Sequence, residues 1–318
     1  MRRRTLIQGV VGIALVAVLF VEILPRIANY GSVGHRLAAV SAPWIVALAL
    51  GSLLDIVTTG PPWKVLLPQI SWLGALGFTQ ASTAVTSVLP GGAPVGMAVS
   101  FGLLKRLEVS SGEAGFAVAL TGIWSQGLIL VYPLVGSLLV LGTGRLTGTT
   151  LAIALASGAV AGGIVILVVL AFRSPRLGRR LGERFTELRT TQLGALRKRW
   201  PALTAATLAN HLSAFVVFEF SLHAVGLPGG QVTWTETFLA WAIGRVISTL
   251  PLTPAGAGFV ELGMIGTLVG FGANHAHVVA AVLLYRGVIV IPTILVGFVS
   301  LFLLRYGRTS TAGSRGSS

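Results

Sequence analysis

Long apolar segments follow one another along almost the whole chain, and they constrain its fold more than any other sequence feature. The apolar segments are 6–24, 43–59, 70–89, 114–141, 149–172, 202–227, 235–250, 256–271 and 277–304. A membrane-spanning helix needs about 20 apolar residues. Only 10% of the residues are charged, against about 25% in soluble domains. The sequence therefore predicts an all-α polytopic membrane protein, and it excludes a soluble enzyme, a nucleic-acid-binding module and a disordered protein.

The positions of the basic residues predict how these segments are oriented. Segment 173–200 contains nine basic and two acidic residues, and such loops remain in the cytoplasm. Three arginines, Arg2 to Arg4, precede the first span and place the N-terminus on the same side. Segment 173–200 itself is interpreted either as an amphipathic helix on the inner leaflet or as a solvated basic loop.

Two segments are predicted to be re-entrant hairpins, because a full crossing by every segment would place 173–200 outside the cell. The first hairpin, 70–104, turns at Pro90, Gly91 and Gly92, and its second limb is too short to cross. The second hairpin, 235–271, enters from outside. The prediction is about six full spans plus two hairpins, with both termini in the cytoplasm. One alternative stays open, since 70–89 is long enough to be a full span.

A short internal repeat relates the two hairpins. The tetrapeptide Ser87-Val88-Leu89-Pro90 is similar to Ser248-Thr249-Leu250-Pro251, which lies 161 residues later. Three crossings per half would invert the second half, and inverted repeats with broken helices are typical of transporters. We therefore predict one transmembrane domain over 1–305. Its halves are 1–148 and 149–305, and a disordered cytoplasmic tail, 306–318, follows.

The turn of the second hairpin is the predicted binding site for an anionic group. A helix N-terminus at a glycine-containing turn favours anions, and arginine geometry suits phosphate. We predict that Arg245 and Arg286 clamp a phosphate, whereas Glu261 pairs with an arginine, binds an amine or exchanges a proton. The structural alternative is a neutralising buried pair between Glu261 and one arginine. The residues predicted to bind the headgroup are Arg245, Pro251, Pro254, Gly256, Gly258, Glu261 and Arg286, with Pro90, Gly91 and Gly92 as their counterparts in the first hairpin.

A second group of ionisable residues lies within the apolar segments, where charge is costly and usually functional. His211, Glu219 and His223 recur at multiples of four residues along the fifth span. The repeat offset places Asp55 at a depth similar to that of Glu219. We interpret the three residues of the fifth span as a polar stripe that faces the protein interior, or, together with Asp55, as a proton relay. The spacing from His211 to Glu219 is too long for a compact ligand set, so no metal site is predicted.

Residues 250–261 resemble the signature of the lysylphosphatidylglycerol synthase transmembrane, or flippase-like, family, which runs roughly L-P-x-T-P-G-G-x-G-x-x-E. Tyr285-Arg286 and Leu89-Pro90-Gly91-Gly92 also fit this family, whereas Ala255 departs from its usual glycine. The resemblance implies a membrane domain that moves lipids across the bilayer. The soluble aminoacyl-transferase domain of the best-known members is not seen in this sequence, so we expect no synthesis of an aminoacylated lipid.

The expected function is translocation of a lipid or lipid-linked headgroup across the cell (plasma) membrane. The resemblance suggests an anionic phospholipid or a polyprenyl-linked sugar as the lipid partner, and the sequence does not identify the cargo. Two alternatives remain: a proton-coupled transporter of a small solute, and a non-transporting partner of a lipid or glycosyl-transfer enzyme. No local motif joins a nucleophile to its base, so no enzymatic activity is expected. Neither a cofactor nor a nucleic-acid partner is expected.

Overall fold

The computed structural model describes residues 30–88, 92–173, 183–250, 253 and 256–306. These residues form α-helices joined by short turns and contain no strand, as the apolar segments predict. The helices are α1 (Tyr30–Ala38), α2 (Ala42–Thr58), α3 (Pro61–Leu66), α4 (Trp72–Val88), α5 (Gly92–Arg106), α6 (Ser111–Leu141), α7 (Gly148–Arg173), α8 (Glu183–Ala224), α9 (Trp234–Ser248), α10 (Phe259–Gly270) and α11 (His275–Tyr306).

Four stretches of the described chain are long and apolar enough to cross a membrane. They are Ala42–Leu66, Ser111–Leu141, Lys198–Ala224 and His275–Leu303. Each coincides with a predicted span. Of the other two predicted spans, 149–172 forms α7, and 6–24 lies outside the described residues. The protein is therefore a multi-pass membrane protein.

Four shorter helices form two packed pairs at the positions of the predicted hairpins. Helix α4 has 17 residues and α5 has 15, while α9 has 15 and α10 has 12. At about 1.5 Å per residue, they are all shorter than the roughly 30 Å hydrocarbon core. Within each pair the two helices pack against each other.

The two pairs make reciprocal contacts with the long helices. Helix α4 packs mainly against α11, whereas α9 packs against α6. Each pair also has its own hydrophobic cluster. Phe78, Leu104 and Trp63 belong to the cluster of the first pair, and Trp241 and Met264 belong to that of the second. The space between these clusters contains the polar cavities described below.

Local sequence signals explain where several helices begin. Thr233 accepts a hydrogen bond from the Glu236 backbone, and the Glu236 carboxylate accepts one from the Thr233 backbone, which is a complete capping box at the start of α9. Ser110 caps α6 by accepting from the backbone of Glu113. Two buried or interfacial carboxylates thus lie at helix N-termini, where the helix dipole favours negative charge.

The basic segment 173–200 is mostly helical along its backbone. Helix α8 begins at Glu183 and continues through the span to Ala224, 42 residues in all. Residues 174–182, and the side chains from 183 to 197, lie outside the described part of the chain. The prediction of an amphipathic face on this segment falls on those side chains.

Candidate functional site

The turn before α10 combines left-handed glycines with a buried ion pair. Gly256 has φ 67° and Gly258 has φ 88°, values that side chains with a Cβ rarely adopt. The Gly258 backbone donates to Glu261 Oε2 at 2.6 Å, and Arg286 Nε donates to Glu261 Oε1 at 2.7 Å. The carboxylate therefore joins the start of α10 to α11.

Two adjoining cavities lie between the helix pairs. Their volumes are about 380 and 310 Å³, and Thr79, Thr83, Ser87, Thr121 and Ser125 line both. The larger cavity extends to Ser248, Thr253 and Gly256 at the turn of the second pair. Both volumes are near the lower limit for ligand pockets, which is about 300 Å³. They suit a headgroup-sized molecule.

The smaller cavity contains one cation and one anion that are not joined as an ion pair. Arg245 and Asp55 both line it, but the ion pairs found within 4.0 Å among the described residues do not include this one. Ser213 donates to Asp55 Oδ1 at 3.0 Å. Arg245 Nε is buried and has no hydrogen-bond acceptor in the described structure. A buried donor without an acceptor is costly, and the guanidinium that carries it lines the cavity without a partner anion, so Arg245 is suited to an anionic ligand.

Aromatic side chains hold the Arg245 guanidinium over the cavity. Its central carbon lies 5.9 Å from the centroid of the Trp241 ring, within the range of a cation–π contact. Trp241 Nε1 in turn donates to the Tyr285 hydroxyl at 3.3 Å. The guanidinium lines the same cavity as Asp55 and His211.

His211 is buried and contacts hydroxyl groups through both of its ring nitrogens. Nε2 lies 3.0 Å from Ser125 Oγ, and Nδ1 lies 2.8 Å from the Tyr132 hydroxyl. His211 is only 3% exposed, and it lines the smaller cavity. The three side chains come from α6 and α8, so the contact also joins these two helices.

The predicted polar residues separate into two groups. Asp55 and His211 reach the smaller cavity with Arg245. Glu219 and His223 do not line either cavity, and the His223 side chain is 62% exposed and stacks on Trp44. The four-residue spacing along α8 thus does not produce one inward-facing stripe.

The other predicted headgroup residues lie around the turns. Glu261 and Arg286 form the pair described above, and neither lines the two cavities. Gly256 lines the larger cavity, and Gly92 is the first residue of α5. Pro90, Gly91, Pro251 and Pro254 lie outside the described residues. Within the described chain, no group of three histidine or acidic side chains is arranged to hold a metal.

A comparison with protein families matches the family described as "Lysylphosphatidylglycerol synthase TM region" over residues 7–297. The chain belongs to this family. A comparison with curated proteins gave no match. The family match covers both helix pairs and both cavities, so the lysylphosphatidylglycerol synthase transmembrane fold includes the complete candidate site.

Several cavity residues were not identified from the sequence. Ser125, Thr121 and Gln80 are ordinary polar residues in apolar helices, and none belongs to a motif. One signal was present in α4, because Thr79, Thr83 and Ser87 recur every four residues and therefore share one helix face. All three of these hydroxyl-bearing residues line both cavities.

Proposed function

We propose that this protein translocates a lipid with an anionic or zwitterionic headgroup across the cell membrane. The headgroup would pass through the two cavities while the acyl chains stay in the surrounding bilayer. The observation that carries the proposal is Arg245, which lines a cavity inside an apolar helical protein and belongs to none of the ion pairs found among the described residues. A phosphate oxygen would pair with its guanidinium.

The proposed architecture is an inverted repeat with two re-entrant hairpins, α4–α5 and α9–α10. Three observations support it: the limbs are too short to span, α4 and α9 make reciprocal contacts with α11 and α6, and the related tetrapeptides are 161 residues apart. Such repeats place the substrate near the midplane, at their interface. The cavities lie between the two helix pairs, where this interface would be.

The Arg286–Glu261 pair has a structural role in this proposal. Its two charges neutralise each other at 2.7 Å, and Glu261 also accepts from the Gly258 backbone. A carboxylate with both oxygens occupied keeps the turn beside the larger cavity in place. Arg245 is then the cation that contacts the headgroup.

The test uses purified protein in vesicles that contain fluorescent phosphatidylglycerol. A membrane-impermeant reductant removes the outer-leaflet fluorescence, and the measurement is the further loss of fluorescence from lipid that was in the inner leaflet. Wild-type protein should expose the inner-leaflet lipid, and Arg245→Gln should slow this by at least tenfold. Arg106→Gln is the matched control, because Arg106 lies at the exposed end of α5. Equal rates for Arg245→Gln and wild type would contradict the assignment of Arg245. No movement by the wild type would contradict translocation of this lipid.

A second candidate function is supported by Asp55, which lines the same cavity as Arg245. A carboxylate in the same cavity as a substrate-binding arginine is suited to proton coupling in a transporter of a small solute. This function predicts uptake that responds to a pH gradient and is lost in Asp55→Asn. Lipid translocation predicts no competition by water-soluble solutes that lack a headgroup phosphate.

A further inference from the structure

We propose that Ser125 is a headgroup-binding residue whose hydroxyl donates a hydrogen bond to a phosphate oxygen. His211 and Tyr132 are positioning residues that orient this hydroxyl toward the cavity. The inference rests on the proposed translocation and names a second group of the same site. It concerns the direction of two hydrogen bonds, which the positions of the buried side chains determine.

The three side chains form a chain of contacts from the protein interior to the cavities. Tyr132 is 5% exposed and lines neither cavity. His211 is 3% exposed and lines the smaller cavity, and Ser125 lines both. Tyr132 is therefore the one of the three side chains that does not reach a cavity.

A neutral imidazole has one N–H donor and one acceptor nitrogen, so only two arrangements are open. In the first, Tyr132 donates to Nδ1 and Nε2–H donates to Ser125, whose own proton then faces the cavity. In the second, Ser125 donates to Nε2 and Nδ1–H donates to Tyr132, whose proton then needs another acceptor. Among the described residues, His211 is the only hydrogen-bond partner found for the Tyr132 hydroxyl.

The first arrangement is favoured, because it leaves a free proton only where a ligand or water can accept it. A buried donor without an acceptor disfavours the second arrangement by about tenfold or more. A doubly protonated imidazolium would place a second positive charge in the cavity that Arg245 lines, and the burial of His211 opposes that charge. His211 is therefore the Nε2–H tautomer, and it acts as a donor to Ser125.

This direction also separates Ser125 from a catalytic serine. In a nucleophile–base pair the serine donates to the imidazole, which is the second arrangement. The 3.0 Å contact alone fits either role, and the buried Tyr132 proton decides between them. The geometry assigns Ser125 to binding.

Neighbouring hydroxyl groups use their protons within their own helices. Thr79 donates to the Ala75 carbonyl at 2.6 Å, Thr83 to that of Thr79 at 2.9 Å, and Ser87 to that of Thr83 at 2.8 Å. Thr121, one turn before Ser125, donates to the Ala117 carbonyl. These oxygens present lone pairs, whereas Ser125 supplies a donor in the same cavity as Arg245. A donor beside a guanidinium is suited to the several acceptor oxygens of a phosphate.

The first experiment measures the tautomer directly. The protein has five histidines, so nitrogen-15 NMR of histidine-labelled protein in nanodiscs gives few signals, and His211→Gln identifies the one required. We expect a protonated Nε2 and an unprotonated Nδ1 at neutral pH, and a changed tautomer ratio in Tyr132→Phe. A protonated Nδ1 would overturn the inference, whether or not lipid moves.

The second experiment measures the role of the donor. Lipid movement in phosphatidylglycerol vesicles should fall about tenfold in Ser125→Ala, because a hydrogen bond to a charged group is lost, and Ser125→Thr should restore most of it. Thr267→Val is the control, since the Thr267 hydroxyl donates to the Gly263 carbonyl within α10 and Thr267 lines neither cavity, and this variant should stay within twofold of wild type. Wild-type movement with an unaffected Ser125→Ala would overturn the inference alone. Absence of movement by the wild type would overturn the proposed translocation and this inference with it.

Discussion

Arg145 connects the N-terminal end of α9 to the C-terminal end of α10, and its removal should destabilise the protein measurably. Its Nη1 lies 3.0 Å from Glu236 Oε1, and its Nη2 donates to the carbonyl of Phe271. Glu236 lies in the first turn of α9, and Phe271 follows α10 directly. Arg145 itself comes from the turn after α6, so one side chain connects three helices.

The expected magnitude follows from the burial of the two partners. Removing one member of a buried ion pair costs about 3–5 kcal/mol, because the other charge is left unpaired. Glu236 is fully buried, but the Arg145 side chain is 41% exposed, and solvent screens exposed pairs strongly. Thr233 also continues to donate to Glu236 at 2.8 Å. Arg145→Ala should therefore lower the free energy of unfolding by about 2–3 kcal/mol.

The assay is SDS-induced unfolding in mixed micelles, followed by tryptophan fluorescence. Glu236→Gln keeps the helix cap but removes the charge, so the double variant with Arg145→Ala should be less destabilised than the sum of the singles by about 1–2 kcal/mol. The control is Arg106→Ala, a change at an exposed helix end, which should stay within about 0.5 kcal/mol of wild type. A similarly small effect of Arg145→Ala, or strict additivity in the cycle, would refute the reasoning.

Three further substitutions test the packing of the helix pairs. Gly136→Ala would place a Cβ 3.0 Å from the Leu239 backbone, so the same unfolding assay should show a loss of about 1–3 kcal/mol. Gly258→Ala forces a side chain into φ 88° and should lose about 1–2 kcal/mol in that assay, with the wild-type value as the contradicting result. Glu261→Gln breaks the pair with Arg286, and hydrogen exchange at the first turn of α10 should become faster. Unchanged protection there would show that the pair does not hold the turn.

The sequence predicted the helices better than their ends. Segment 235–250 corresponds to α9, Trp234–Ser248, and 256–271 corresponds to α10, Phe259–Gly270. The agreement arises because hydropathy marks the segments whose side chains can be buried away from water. It offered a helix over 173–200 as one of two interpretations, but it did not predict that this helix is continuous with the span as α8 from Glu183. That stretch is rich in leucine, arginine and glutamate, which favour a helix regardless of hydropathy.

The candidate site was only partly predictable. Arg245, Asp55 and His211 were identified because an ionisable residue in an apolar segment is costly and is usually functional. The rule does not identify a site by itself, because Glu236 is also ionisable within an apolar segment and is in the structure a helix cap paired with Arg145. Ser125 was missed, since its importance comes from His211, 86 residues away in the chain. Local patterns cannot specify such a contact between two helices.

The central claim is that a lipid headgroup occupies the cavities beside Arg245, and photo-crosslinking tests it most directly. A phospholipid with a diazirine in its headgroup is irradiated with the protein in vesicles, and the labelled peptides are mapped by mass spectrometry. The proposed function predicts label on α4 and α6 around Thr83 and Ser125, reduced at least tenfold in Arg245→Gln. Label confined to outward-facing residues such as Leu138 and Leu295, and unchanged in Arg245→Gln, would contradict it.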